Sequence, residues 1–288
     1  MNNTMTSEAE ELAVLSSLRK PPLVSWPAIL LMVGGHAGTI LTWVLCLKGI
    51  WPLWFGGIVN GVMAYLLFTP SHDAMHRSVS RLPWLNELVL RISTILAVPF
   101  GKGHFFRVMH MQHHRFTNEE NDPDHNLASQ WKMIPLWGIW PFIYIITFAK
   151  NPENFPGLKP KEVWTELAIG FTIIGAFFIW MPLEMFWLWL VALYVGFFLM
   201  CIVFMVLPHY PHAVRESDDP YRASLIRRGH EWLLTPVLLY QNYHLVHHLY
   251  PTVPFYLYGK AWKAREAFHE SNNPGIVPAF GLGAKDKA

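Results

Sequence analysis

Four apolar runs, each close to the roughly 20 residues a helix needs to cross a bilayer, constrain this chain more than any other feature. They cover residues 26–47, 50–69, 164–181 and 185–207. Only a short turn separates the members of each pair, near Lys48 and at residues 182–184. Each pair therefore reads as a helical hairpin. Two weaker stretches lie between the hairpins. Residues 84–100 carry Glu87 and Arg91, and residues 133–148 are uncharged but short, with Pro135 and Pro141. Both read as helices lying in the interface or packed under the polar part, with a crossing by the second left open.

Charge placement supports this layout. Charged residues are 15% of the chain, against roughly 25% in soluble domains. Of 22 Lys and Arg, Lys48 alone falls in a hairpin turn; the N-terminal segment holds 2, residues 70–163 hold 10 and residues from 208 onward hold 9. The positive-inside rule puts those three regions in the cytoplasm. The expected fold class is thus an all-α integral membrane protein, multi-pass, with four transmembrane helices in two hairpins and a cytosolic helical cap. The expected divisions are a cytosolic tail at 1–25, a membrane domain at 26–262 and a C-terminal tail at 263–288, loose beyond Pro274. The polar N-terminal stretch does not read as a cleavable signal peptide. A net charge of +2 with no long basic run argues against nucleic acid as a partner. Cys46 and Cys201 both sit in apolar runs, which leaves no disulfide framework and no thiolate metal site.

Against this background the histidines stand out. Residues 72–76 read HDAMH, residues 110–114 HMQHH and residues 244–248 HLVHH. The chain has 15 histidines in 288 residues, so random placement would give about 0.04 copies of His-x-x-His-His, and two are present. On a helix, His72 and His76 share a face one turn apart, as do His110 and His114, and His244 and His248; His113 and His247 lie on the adjoining face. Eight imidazoles suffice for two metal ions, since a single zinc needs three or four protein ligands. Neutral nitrogen donors suit iron, zinc, copper or nickel, and the donor type alone leaves these open. A ninth ligand could come from LPHYPH, as His209 or His212, with His125 a further candidate. Metal-bound imidazoles usually give their second N–H to a carboxylate or carbonyl. Asp73, Asp122, Asp124 and Glu231 are candidates for that role, and Asn242 for contact with a metal-bound water. His36, His104, His230 and His269 read as structural or solvated.

In type, order and spacing from the membrane spans, the three boxes resemble those of the membrane fatty acid desaturase and hydroxylase superfamily, over about residues 26–262. The longer strings HMQHHRFTNEENDPDH, LPHYPH and QNYHLVHHLYPTVPFY are most similar to carotenoid β-ring hydroxylases. The resemblance implies a cytosolic cap holding two iron ions, which activate O2 and attack an unactivated C–H bond of a long hydrophobic substrate. The outcome is a double bond or a hydroxyl group, on a fatty acyl chain or a carotenoid ring. It also implies that the substrate enters from the bilayer. No haem-binding His-Pro-Gly-Gly string occurs, and two cysteines cannot hold an iron–sulfur cluster. A separate electron donor, of ferredoxin or reductase type, is therefore expected. Two other readings stay open: a zinc hydrolase with Asp73 as base in HDAMH, and a non-enzymatic haem- or metal-binding membrane protein. The oligomeric state is not legible.

Overall fold

The computed structural model describes residues 2–95 and 103–282. Helix α1 (Asn2–Leu18) precedes a long pair, α2 (Trp26–Leu47) and α3 (Leu53–Met75). Then come α4 (Pro83–Thr94), α5 (His104–Arg115) and the single turn α6 (His125–Ala128). A 3-10 segment (Trp131–Ile139) runs into α7 (Trp140–Lys150), followed by α8 (Pro160–Trp180) and α9 (Leu183–Met200). The C-terminal part holds β1 (Leu225–Arg228), the short helices α10 (Glu231–Val237), α11 (His244–Leu249), α12 (Tyr258–Ala264) and α13 (Glu266–Ser271), and β2 (Gly275–Pro278).

The first hairpin is set by local chemistry. Pro27 stands in the first turn of α2, where no N–H is needed. Gly49 ends the helix with φ +70°, and the Ile50 N–H reaches back to the Leu45 carbonyl at 2.9 Å, the six-to-one bond of a Schellman end. Lipid gives no hydrophobic drive for helices to associate, so close approach of small residues matters more. α3 meets α9 through Gly57 and Gly61, whose missing side chains admit Val191 and Val195. α2 brings Gly35 and Gly38 to Leu67 and Met63 of α3. α8 leans on α9 near their turn, with the Phe178 and Phe186 rings 4.9 Å apart, while its first half lines a void with Phe105, Phe106 and Ile145.

Among the described residues, five helical stretches are long and apolar enough to cross a membrane. Four match the expected spans. The fifth, Trp131–Lys150, is longer than its prolines suggested. Pro141 falls in the first turn of α7, where it stabilises the helix instead of ending it.

Two expectations need correction. The fold is mostly helical but not all-α, because β1 and β2 pair in parallel, Leu225 with Gly275 through Arg228 with Pro278. The segment after 262 is correspondingly not a loose tail as far as residue 282. The buried Arg227 guanidinium donates to the carbonyls of Pro278 and Ala279 and to that of Gly281. A parallel pairing across a long connection leaves no local alternation to read. Of the helix expected at 84–100, α4 ends at Thr94 and residues 96–100 lie outside the described residues.

A Cβ at Gly61 would stand 2.4 Å from Val195 Cγ1 and 3.2 Å from the Gly196 backbone nitrogen. Gly61→Leu should therefore separate α3 from α9 and destabilise the protein by roughly 1–3 kcal/mol, the usual cost of overpacking. Thermal unfolding in detergent checks this, with Gly175→Leu, where nothing lies within 4 Å, as the neutral comparison.

Candidate metal centre

Box one closes α3. Pro70 stands inside the helix, where it removes one ladder bond a few residues before His72. Box two occupies the last turn of α5. Box three is α11 itself, a helix of six residues. α9 continues into a wide π turn at Cys201–Val206. Such turns recur at functional sites, and this one sets the Phe204 ring 5.2 Å from that of His72 and leads directly to His209.

The imidazoles gather into two adjoining groups. His72, His76, His110 and His247 form one, and His113, His209, His244 and His248 the other, with donor atoms within 4.8 Å of one another in each. His114 lies between them. Its Nε2 is 2.8 Å from His247 Nε2 and 3.2 Å from His110 Nε2, and its ring stacks on His248 at 4.3 Å. His76 and His110 approach at 2.8 Å and His244 and His248 at 3.2 Å, in both cases through Nε2. Nitrogens bound side by side to one ion at about 2.0–2.1 Å lie roughly 3 Å apart, which is the separation these pairs show. Among the described residues, His72 is fully buried with neither ring nitrogen partnered, and His209 Nε2 is likewise buried and unpartnered. The residues present therefore fit two metal ions side by side.

The second nitrogens are organised as metal ligands require. His113 Nδ1 lies 3.0 Å from Asp122 Oδ1 and 3.4 Å from Asp124 Oδ2. Asp124 also accepts the Tyr144 hydroxyl. His209 Nδ1 donates to the Ala223 carbonyl at 3.0 Å, and His244 Nδ1 to Gln241 Oε1 at 2.6 Å. His247 Nδ1 meets the Tyr258 hydroxyl at 2.9 Å. Each contact leaves Nε2 facing the other imidazoles.

Burial, reinforced by neighbouring imidazoles, holds His76, His110, His114, His209, His244, His247 and His248 well below the ordinary histidine value. They are neutral, the form that binds a cation. His113 differs. Burial opposes its charging, but Asp122 and Asp124 outweigh it and raise this imidazole to about 9. The same two carboxylates favour positive charge at His113 whether a proton or a metal ion brings it.

The other sequence candidates separate clearly. His212 joins neither group; its Nδ1 pairs with Asn118 Oδ1 at 3.2 Å, and its ring centre lies 6.1 Å from that of His209. His125 stands 6.3 Å from His212, also outside both groups. Asp73 does not orient an imidazole. Its Oδ2 accepts the Phe255 N–H at 3.1 Å and so ties box one to the segment after box three. That contact also takes it away from the role of base in a hydrolase, while His72 and His76 are shared with His110 and His247. Asn242 is turned to Thr235 Oγ1 at 3.2 Å, and Glu231 accepts the Gly229 N–H at 2.8 Å. His36 and His104 bond backbone carbonyls of Ile92 and Gly157, and His269 stacks on Trp262 at 4.9 Å. Sequence reading missed Gln241, Tyr144 and Tyr258. Gln241 was within reach, three residues before His244; the two tyrosines carry no local signal.

A mostly helical chain with several helices apolar enough to span a membrane and a buried double cluster of imidazoles defines a class, membrane-type proteins with a polyhistidine site able to hold metal. Comparison narrows it. The fatty acid desaturase family model matches residues 49–277, and the chain belongs to that family. It is 28% identical over 258 residues to the sn-1 acyl-lipid omega-3 desaturase (ferredoxin) of Nostoc sp. (strain 36), covering 75% of this chain and 69% of that protein. It is 29% identical over 279 residues to an sn-1 oleoyl-lipid 12-desaturase of Picosynechococcus sp., covering 84% and 76%. A chloroplastic omega-3 fatty acid desaturase of Brassica napus is 26% identical over 306 residues, covering 91% and 72%.

In the metal-free protein the seven depressed imidazoles bind protons more readily once unfolded, near pH 6.5. Their contribution to stability is therefore lost as pH falls below about 6.5. His113 has the opposite sign, and its contribution fades as pH rises through about 9. The buried carboxyls of Glu216 and Asp124, raised by burial to about 7 and about 6, share the sign of His113; seven imidazoles outweigh these three groups, so the unfolding temperature of the chelated protein should fall between pH 7.5 and 5.5. A flat profile over that range would show that the imidazoles are not buried together.

Proposed function

We propose that this chain is an O2-dependent membrane acyl-lipid desaturase whose eight boxed histidines and His209 hold two iron ions. The observation that carries the reading is where the centre stands. With Asp124 and Tyr144, His72 and His110 line a void whose other side is apolar, formed by Phe68, Met75, Phe106 and Trp140. Those last four residues also line a second void of about 330 Å3 that reaches Ala64, Phe197 and Met200 within the spans. An acyl chain entering from the lipid layer would meet the imidazoles without crossing water. The relatives' names, all acyl-lipid or fatty acid desaturases, point the same way. The first of them names ferredoxin, which favours a ferredoxin-type donor here.

The gathered imidazoles also support four crossings with the boxes on one face. His110 and His247 share one group, so an even number of crossings must separate them. α8 and α9 supply two; a third by Trp131–Lys150 would put His247 on the opposite side from His110. The Lys and Arg distribution favours the cytoplasm for that face.

The iron pair, once bound, would supply O2 activation; in the net change two hydrogens lost from adjacent carbons combine with O2, two electrons and two protons to leave as two waters. The protein's share is placement. Phe68, Phe106 and Trp140 form a dry wall that aligns the chain, and near-attack geometry is sensitive at about 1 Å. Tyr258, Gln241, Ala223 and Asp122 fix the tautomers of four ligands. The strings most similar to carotenoid ring hydroxylases contribute Asp122, Asp124, His209 and Gln241, all placed around the imidazoles. They report on a centre common to both chemistries and not on the substrate.

The test is lipid mass spectrometry of a host making β-carotene and ordinary fatty acids, supplied with a ferredoxin. The intact chain should yield an acyl chain lighter by two hydrogens, and His247→Ala should abolish that product while the protein still inserts. Full activity of His247→Ala would sink the centre; oxygenated carotenoid would replace the substrate. Metal analysis should find two irons per chain. Tyr258→Phe should weaken metal affinity roughly 10–100-fold, the usual effect of removing a ligand's outer partner, as read by competition with a chelator.

A further inference from the structure

Away from the histidines, α2, α3 and α9 border a second kind of pocket, lined by Thr39, Trp43, Asn60, Ala64, Trp189 and Ala192. Asn60 is 2% exposed, and among the described residues neither atom of its carboxamide has a hydrogen-bond partner. Trp43 Nε1 on the same wall is also buried and unpartnered. Thr39 has given its proton to the Gly35 carbonyl at 2.9 Å. Asn60 lies seven residues into α3, about 10 Å from its start, within a span where the surrounding hydrocarbon supplies no partners. Packing does not call for an amide here, because Gly57 and Gly61 already make the close contact with α9.

The open groups define their complement: the N–H bonds of Asn60 and Trp43 to donate, and one carbonyl oxygen to accept. A hydroxyl has one proton and two lone pairs. It can donate to Asn60 Oδ1 while accepting from Trp43 Nε1 and Asn60 Nδ2. A charged group would remain unpaired in hydrocarbon. We propose that this void binds the hydroxyl group of an uncharged lipid alcohol, admitted from the bilayer. Ala64 also lines the passage toward box one, so the bound alcohol lies beside the substrate's path. Water offers the same hydrogen bonds, and the experiment separates the two sources.

The full chain in phosphatidylcholine nanodiscs is titrated with 1-hexadecanol or with hexadecane, followed by native mass spectrometry and thermal unfolding. One hexadecanol should be retained per chain and should raise the unfolding temperature, while hexadecane does neither. Asn60→Leu should bind about tenfold more weakly, the effect of one or two lost hydrogen bonds. Trp43→Phe, which keeps the amide, should lose part of the binding and covers the case in which Asn60→Leu does not fold. Equal retention of hexadecane, or no retention of hexadecanol by the intact chain, overturns the proposal; the second result assigns the site to water. Neither readout uses metal or turnover, so the outcome is independent of the function proposed above.

Discussion

Everything in this protein depends on keeping many imidazoles together, buried and uncharged. Each charged imidazole in such a nest would face both desolvation and repulsion from its neighbours. The fold removes the first difficulty by assigning the second ring nitrogens of His113, His209, His244 and His247 to fixed partners. Those partners come from four separate places: Asp122 after box two, Ala223 before β1, Gln241 before box three and Tyr258 in α12. The cap is therefore a frame around ring nitrogens. β1 and β2 make sense in these terms, because they fasten residues near the end of the described chain beside the segment that carries Ala223.

The same demand explains how the membrane helices are built. α3 delivers His72 and His76, and the turn after α9 delivers His209. Their relative height must be fixed, since metal ligands tolerate only small displacements. Flexible side chains at the α3–α9 contact would let the helices slide. Glycines receiving valine ridges hold the register at short range. Asp73 adds a second fastening, from the end of α3 to the Phe255 backbone.

Features of the centre that repeat locally were legible in the sequence. The i, i+4 pairs and the paired His-x-x-His-His strings announced the imidazoles, and the turn-forming Asn-Asp-Pro-Asp placed two carboxylates nine and eleven residues after His113. What escaped depends on long-range contact. Between His209 and His212 nothing local decides, and it is the Asn118 side chain that draws His212 away. Asp73 and Asn242 were plausible by proximity alone, yet each finds a nearer partner in the fold. Tyr258 reaches His247 from the next helix, and no periodicity links the two. The four long apolar helices were plain from hydropathy, whereas α7 depended on whether a proline falls at a helix start.

A physical division follows between chemistry and specificity. Histidines, Asp122, Asp124 and Gln241 lie at the level of the boxes and would be needed whatever carbon is oxidised. On the proposed function, selection would come from residues away from the imidazoles that line the voids below: Phe68, Phe106, Trp140, Phe197 and Met200. Trp140 is the most constrained of these. It lines both voids, is 3% exposed, and has ring neighbours Phe68, Phe106, Tyr144 and Phe197 at 4.9–6.2 Å. A ring held on four sides cannot turn aside to admit a bulkier group, so the width of the passage at that point is fixed by the fold. A slim acyl chain can pass such a constriction more readily than a substituted ring. On the proposed function, the feature that would discriminate between the two substrates is a packing contact, and it lies outside every motif by which the chain's chemistry was first legible.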